Sequence, residues 1–181
     1  MGGFFTKLFK GLFGDENYRI LILGLDGVGK TTILYQMSIG EVVYTKPTIG
    51  SNVEEVKFNN LKFECWDVGG QESIRESWSS YYVDTNAVVL VVDSSDHERI
   101  DLIQNELFSM ANHQDLKNAL FLVFANKQDI NGAMNSSQLS KALKLSSIKD
   151  QEWHIQSCCA LTGEGLKEGW TWLANKLKKK K

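Results

Sequence analysis

The sequence predicts an α/β fold: a doubly wound, mostly parallel six-stranded sheet with one antiparallel hairpin and helices on both faces. Three observations predict it. Strand-like and helix-like runs alternate along most of the chain. The run Ala87-Val88-Val89-Leu90-Val91-Val92 is apolar on both faces, as a strand covered by helices on each side must be. A glycine-rich turn, Gly24 to Thr32, joins an apolar run to a helix start.

The elements follow in order. Arg19–Leu23 reads as a buried strand and Thr31–Met37 as the helix after it. Val53–Phe58 and Leu61–Asp67 are two strands joined by Asn59-Asn60, a hairpin turn. Ala87–Asp93, Ala119–Asn126 and His154–Ala160 complete the strands. Helical patterns occupy Glu98–Ala111, Ser137–Leu145 and Leu166–Leu177. In such a sheet, ligand groups gather at the carboxyl ends of the strands. The expected boundaries are an N-terminal helix and linker over 1–17, one domain over 18–177, and a basic tail over 178–181.

Composition narrows the function classes. The 181 residues are 43% hydrophobic and 23% charged, suited to one globular domain with a real core. A formal net charge of −2 argues against a general nucleic-acid binder. Cys65, Cys158 and Cys159 lack zinc spacing, and two are adjacent, so neither a disulfide framework nor a structural metal is expected. The bland reading of Cys158 and Cys159 is a pair of small buried residues at a strand end.

The most informative segment is Gly24-Leu25-Asp26-Gly27-Val28-Gly29-Lys30-Thr31-Thr32. It satisfies the phosphate-loop pattern, with a strand before it and a helix after it. Backbone N–H groups of such a loop point at phosphates, and the helix dipole adds positive potential. Lys30 would contact the β- and γ-phosphates, and the Thr31 hydroxyl would ligate Mg²⁺. A third-strand ending, Trp66-Asp67-Val68-Gly69-Gly70-Gln71, adds three groups. Asp67 can hold Mg²⁺ through water, Gly70 can offer its N–H to the γ-phosphate, and Gln71 can orient the attacking water. Between them lies Thr45-Lys46-Pro47-Thr48, and a threonine here can bind Mg²⁺ only while a γ-phosphate is present.

Asn126-Lys127-Gln128-Asp129 selects the base. Guanine offers N1–H and N2–H₂ side by side, and the Asp129 carboxylate can accept both. An unmatched buried carboxylate would be costly with adenine. Asn126 can brace the loops, the Lys127 stem can lie on the base, and a backbone N–H at Cys159-Ala160, that of Ala160, can meet the guanine carbonyl.

The N-terminus reads as a membrane device. Met1-Gly2-Gly3-Phe4-Phe5-Thr6 fits N-myristoylation at Gly2. Phe4, Phe5, Leu8, Phe9, Leu12 and Phe13 fall on one half of a helix at about 100° per residue, with Lys7 and Lys10 opposite. The same pattern serves a helix packed on the domain. One acyl chain gives only marginal membrane binding, about 10⁴ M⁻¹, so the helix supplies a second signal. The terminal lysines read as a solvated tail or as added attraction to anionic lipid.

These motifs, in this order, resemble the small GTPase superfamily. The strings GLDGVGKTT, PTIG, WDVGGQ, NKQD and CCALTGEG look like the Arf family, on its Arf-like, Golgi-type branch, across essentially the whole chain. The resemblance implies a small G domain, slow GTP hydrolysis and cycling between GDP and GTP forms with Mg²⁺. It implies a monomer working with an exchange factor, an activating protein and effectors, in the cytoplasm and peripherally on a Golgi or trans-Golgi membrane, in vesicle trafficking. GTP would shift the hairpin register and release the N-terminal helix to the bilayer. Ser51 departs from the phenylalanine of Arf proteins proper, while Trp66 and Tyr81 of the effector-facing aromatic group remain. Trp66, Trp78 and Tyr81 serve packing or effector contact. Arg75 reads as a surface helix residue. Two rival functions are a lipid-anchored scaffold that holds guanine nucleotide without switching and a nucleotide kinase. Thr48, Gly70 and Gln71 argue against the first, and Asp129 against the second.

Overall fold

The apolar runs become strands and the amphipathic runs become helices. A computed structural model describes residues 17–39, 50–58 and 61–180. The strands are β1 (Asn17–Leu23), β2 (Ser51–Phe58), β3 (Leu61–Val68), β4 (Ala87–Asp93), β5 (Leu120–Asn126) and β6 (Trp153–Ser157). The helices are α1 (Lys30–Ile39), α2 (Glu72–Arg75), α3 (Ile100–Ala111), α4 (Ser136–Ala142) and α5 (Leu166–Lys179). One sheet forms in the order β2-β3-β1-β4-β5-β6, and only β2 and β3 run antiparallel.

Every residue of β4 and β5 is buried, so their uniform apolarity reflects cover on both faces. Trp170 of α5 seals one face, its ring 5.9 Å from Phe63 and 6.1 Å from Phe124. Gly169 permits that approach: a Cβ there would stand 2.5 Å from the Phe124 ring. Aligned register brings Ile22 beside Asp67, Asp93 beside Asn126, and Ala125 beside Ser157. The carboxyl ends of the parallel strands therefore open at one edge.

Several boundaries differ from the sequence reading. Strand β6 stops at Ser157 rather than Ala160, because Cys159 turns away and pairs with Glu164 instead. Helix α4 stops at Ala142 rather than Leu145, ended by Lys144 at φ +52°. Helix α3 starts at Ile100 rather than Glu98, and α5 runs on through Lys178 and Lys179. Among the described residues, no helix is long and apolar enough to cross a membrane.

Candidate nucleotide site

The turn after β1 is glycine-rich because no other residue fits. Gly24 sits at φ +149°, and a Cβ there would meet the Val91 carbonyl oxygen at 2.3 Å. Gly29 sits at φ +99°, where a Cβ would lie 2.5 Å from the Asn126 amide nitrogen. The loop delivers Lys30 and Thr31 to the first turn of α1. Lys30 is 6% exposed, and its Nζ donates to Gly24 O at 3.0 Å and Leu25 O at 2.7 Å. An ammonium carries three donors, so one remains for a phosphate oxygen.

Burial lowers Lys30 to about 8, although the Asp67 and Asp26 carboxylates pull it upward. A phosphate bound there favours the charged form, so binding above pH 8 must take up a proton. Titration calorimetry of GDP at pH 9, in buffers of different ionisation enthalpy, is expected to show uptake of close to one proton. At pH 7, where Lys30 is already charged, uptake at this group should vanish. No uptake at pH 9 would show that Lys30 is already charged in the free protein, against the lowering by burial.

Thr31 and Asp67 meet across the first turn of α1 and the end of β3, the Thr31 hydroxyl donating to the Asp67 carboxylate. Asp67 is fully buried. A hydroxyl and a carboxylate side by side are hard oxygen donors and suit Mg²⁺. Among the described residues, no group of three or more His, Cys, Asp or Glu forms a dedicated metal cage. Mg²⁺ does not require one, since it takes its other ligands from phosphate and water.

Beyond β3, the Gly69 N–H bonds Gly50 O at 2.8 Å, and the Trp78 indole N–H donates to Gly69 O at 2.9 Å. Gly70 then lies flat on the glycine loop. A Cβ on it would come within 2.2 Å of Gly24 O, 2.3 Å of the Leu25 carbonyl carbon and 2.5 Å of Asp26 N. Half-buried Gln71 follows at the start of α2.

Asn126, 1% exposed, ties three loops together. Its Nδ2 donates to Val28 O at 2.8 Å, and its Oδ1 accepts the Ala160 N–H at 2.9 Å. The Ala160 N–H, expected to face a base carbonyl, is thus donated to Asn126, because that amide spans from the glycine loop to the turn after β6. Lys127 adopts φ +66° and pairs with Asp93 at 2.7 Å, which fixes its stem. Burial pushes Asp93 upward, but hydrogen bonds from Lys127 and Ser95 prevail and hold it below the usual carboxylate range. Asp129 is exposed and accepts the Cys159 thiol at 3.3 Å. The desolvation cost expected of it therefore arises only once a base covers it. Burial pushes Cys65 up to about 12 and raises Cys158 also, so both stay inert thiols, as packing residues should.

The model of the ADP-ribosylation factor family matches residues 5–177. The chain belongs to the ADP-ribosylation factor family. It is 54% identical over 178 residues to human ADP-ribosylation factor-like protein 5A, covering 98% of this chain and 99% of that protein. It is 52% identical to ADP-ribosylation factor 3 of Arabidopsis thaliana, covering 98% of each. Its fold matches the Arl6 BBS3 small GTPase of Trypanosoma brucei with bound GppNp, at a TM-score of 0.86 and 33% identity. That match covers 91% of this chain and 99% of that one. This Arf-family protein is a small GTPase and hydrolyses GTP.

In this GTPase, the sequence pattern signals neither Arg99 nor Asp93, and it places Arg75 at the surface. Arg99 bonds Asp26 Oδ1 at 3.0 Å and Asp96 at 2.5 Å, tethering the glycine loop to the start of α3. Asp26 lies 73 residues away, so no local pattern announces that pair. Arg75 is not a surface residue: its side chain is 11% exposed and pairs with Glu106 at 3.2 Å. Trp78 is core, 1% exposed. Trp66 and Tyr81 are half-buried, their rings 5.9 Å apart, with the Arg19 guanidinium over Trp66. Gly2, the N-terminal helix, Thr45, Thr48 and the Asn59-Asn60 turn lie outside the described residues.

Proposed function

We propose that this GTPase is a switch whose GTP form attaches to membrane and recruits effectors in Golgi or endosomal vesicle trafficking. The carrying observation is Gly70 seated on the backbone of Gly24 to Asp26. A third phosphate held by that loop would face the Gly70 N–H, so the segment after β3 is placed to sense it. In this reading the loop from Gly24 to Thr32 cradles the phosphates, and Lys30 adds charge. Thr31 and Thr48 would ligate Mg²⁺, with Asp67 acting through water, and Thr45 would contact the nucleotide. Mg²⁺ supplies charge neutralisation between the phosphates. Gln71 orients the attacking water, while Asn126, Lys127, Asp129, Cys159 and Ala160 form the base pocket.

The domain over 18–177 senses the nucleotide, and the segment over 1–17, myristoylated at Gly2, is the output. The exchange factor, activating protein and effectors contact the switch segments of a monomer. The terminal lysines, 178–181, add attraction to anionic lipid. Liposome flotation of the acylated full-length protein tests this. With GppNp it is expected to float with anionic vesicles, and with GDP to stay in solution. Equal flotation in both states would favour the non-switching, lipid-anchored scaffold.

A further inference from the structure

Arg75 lies four residues after Gln71, at the end of α2, and its side chain is almost fully enclosed. Its Nε bonds Glu106 Oε1 at 3.2 Å, and its Nη1 donates to Gly70 O at 3.1 Å. Glu106 belongs to α3, which is held in the core through Ile103, Leu107 and Met110. The Gly70 carbonyl belongs to the peptide whose other half is the Gln71 N–H. The guanidinium therefore connects a fixed helix to the one peptide plane that sets the direction of Gln71.

We infer that Arg75, anchored by Glu106, is a positioning residue for GTP hydrolysis. The inference rests on the reading that Gln71 orients the attacking water. A guanidinium presents its donors in a rigid fork, so fixing one edge on Glu106 fixes the other on Gly70. Trp78 holds the preceding carbonyl, that of Gly69, in the same way. Both carbonyls before Gln71 are thus held by side chains of the turn that follows it. Two of the five guanidinium N–H donors are engaged in this way, one on a carboxylate and one on a carbonyl.

The test uses full-length protein loaded with GTP and Mg²⁺. It compares wild type with Arg75→Lys, Glu106→Ala, Glu106→Gln and, as the control, Gln71→Leu. Three quantities are read: single-turnover hydrolysis, GDP dissociation, and hydrogen exchange at the Gln71 amide with GppNp bound. A lysine carries its donors on a single nitrogen and cannot reproduce the two-edged planar fork of the guanidinium. Arg75→Lys and Glu106→Ala are therefore expected to slow hydrolysis about 10- to 100-fold, the upper end being the loss for a reacting group displaced by about 1 Å. The Gln71 amide should exchange faster in both, while GDP dissociation stays as in wild type. Glu106→Gln retains an acceptor oxygen and should recover most of the rate.

Wild-type hydrolysis and unchanged Gln71 exchange in Arg75→Lys would overturn the inference. Faster GDP loss in proportion to slower hydrolysis would also overturn it, since that is general destabilisation. If Gln71→Leu hydrolyses like wild type, the reading of Gln71 fails by itself, and amide exchange still decides whether Arg75 holds the peptide.

Discussion

Gly70→Ala is expected to separate the segment after β3 from the glycine loop and to reduce GTP hydrolysis by about 100-fold or more, while GDP still binds. The added Cβ would lie 2.2–2.5 Å from Gly24 O, the Leu25 carbonyl carbon and Asp26 N. All three are backbone atoms of a loop held by Lys30, Asn126 and Arg99. None can rotate away as a side-chain tip would. Gly70 is not at a left-handed φ, so the penalty is contact rather than backbone strain. The mobile partner must therefore lift, carrying Gln71 with it. A reacting group displaced by about 1 Å loses about 10²-fold in rate. GDP lacks the third phosphate and keeps the loop, Lys30 and the base pocket. Single-turnover hydrolysis with fluorescent-GDP affinity checks both halves. Wild-type hydrolysis in Gly70→Ala would show that this contact is dispensable.

The parts legible in the sequence are those governed by local pattern. Uniform apolarity in β4 and β5 announced a sheet covered on both faces. The glycine spacing around Lys30 announced a loop whose conformation only glycine can adopt. The role of Asn126 as a brace is legible from its place in the Asn-Lys-Gln-Asp string at a strand end. What stayed hidden depends on distance along the chain. Arg99 finds Asp26, and Arg75 finds Glu106, only after α3 docks beside the loop. An arginine in a polar helical turn looks like surface until the neighbouring helix is in place. The exposure of Asp129 was hidden for a similar reason, since the burial of a loop carboxylate is a property of its surroundings. The ends of α4 and β6 were misjudged because Lys144 and Cys159 leave their elements through backbone conformations that their side chains do not signal.

The second large effect concerns the base. Asp129→Asn replaces two acceptor oxygens by one acceptor and one donor. Guanine presents two donors to this position, and one of them would then meet an amide N–H₂. Xanthine presents a donor and a carbonyl, which an asparagine satisfies. A hydrogen bond to a charged group contributes about 1.5–3 kcal/mol, and one of the two is lost outright. That is roughly 10- to 10²-fold in affinity. The fold should be undisturbed, since Asp129 is exposed and its hydrogen bond among the described residues is that with the Cys159 thiol.

Competition between guanine and xanthine nucleotides, measured on wild type and Asp129→Asn in parallel, is the most direct test of the site assigned here. The account predicts GDP preference in wild type and its inversion to xanthosine diphosphate in the variant. An unchanged preference for GDP in Asp129→Asn would contradict it and place the base elsewhere.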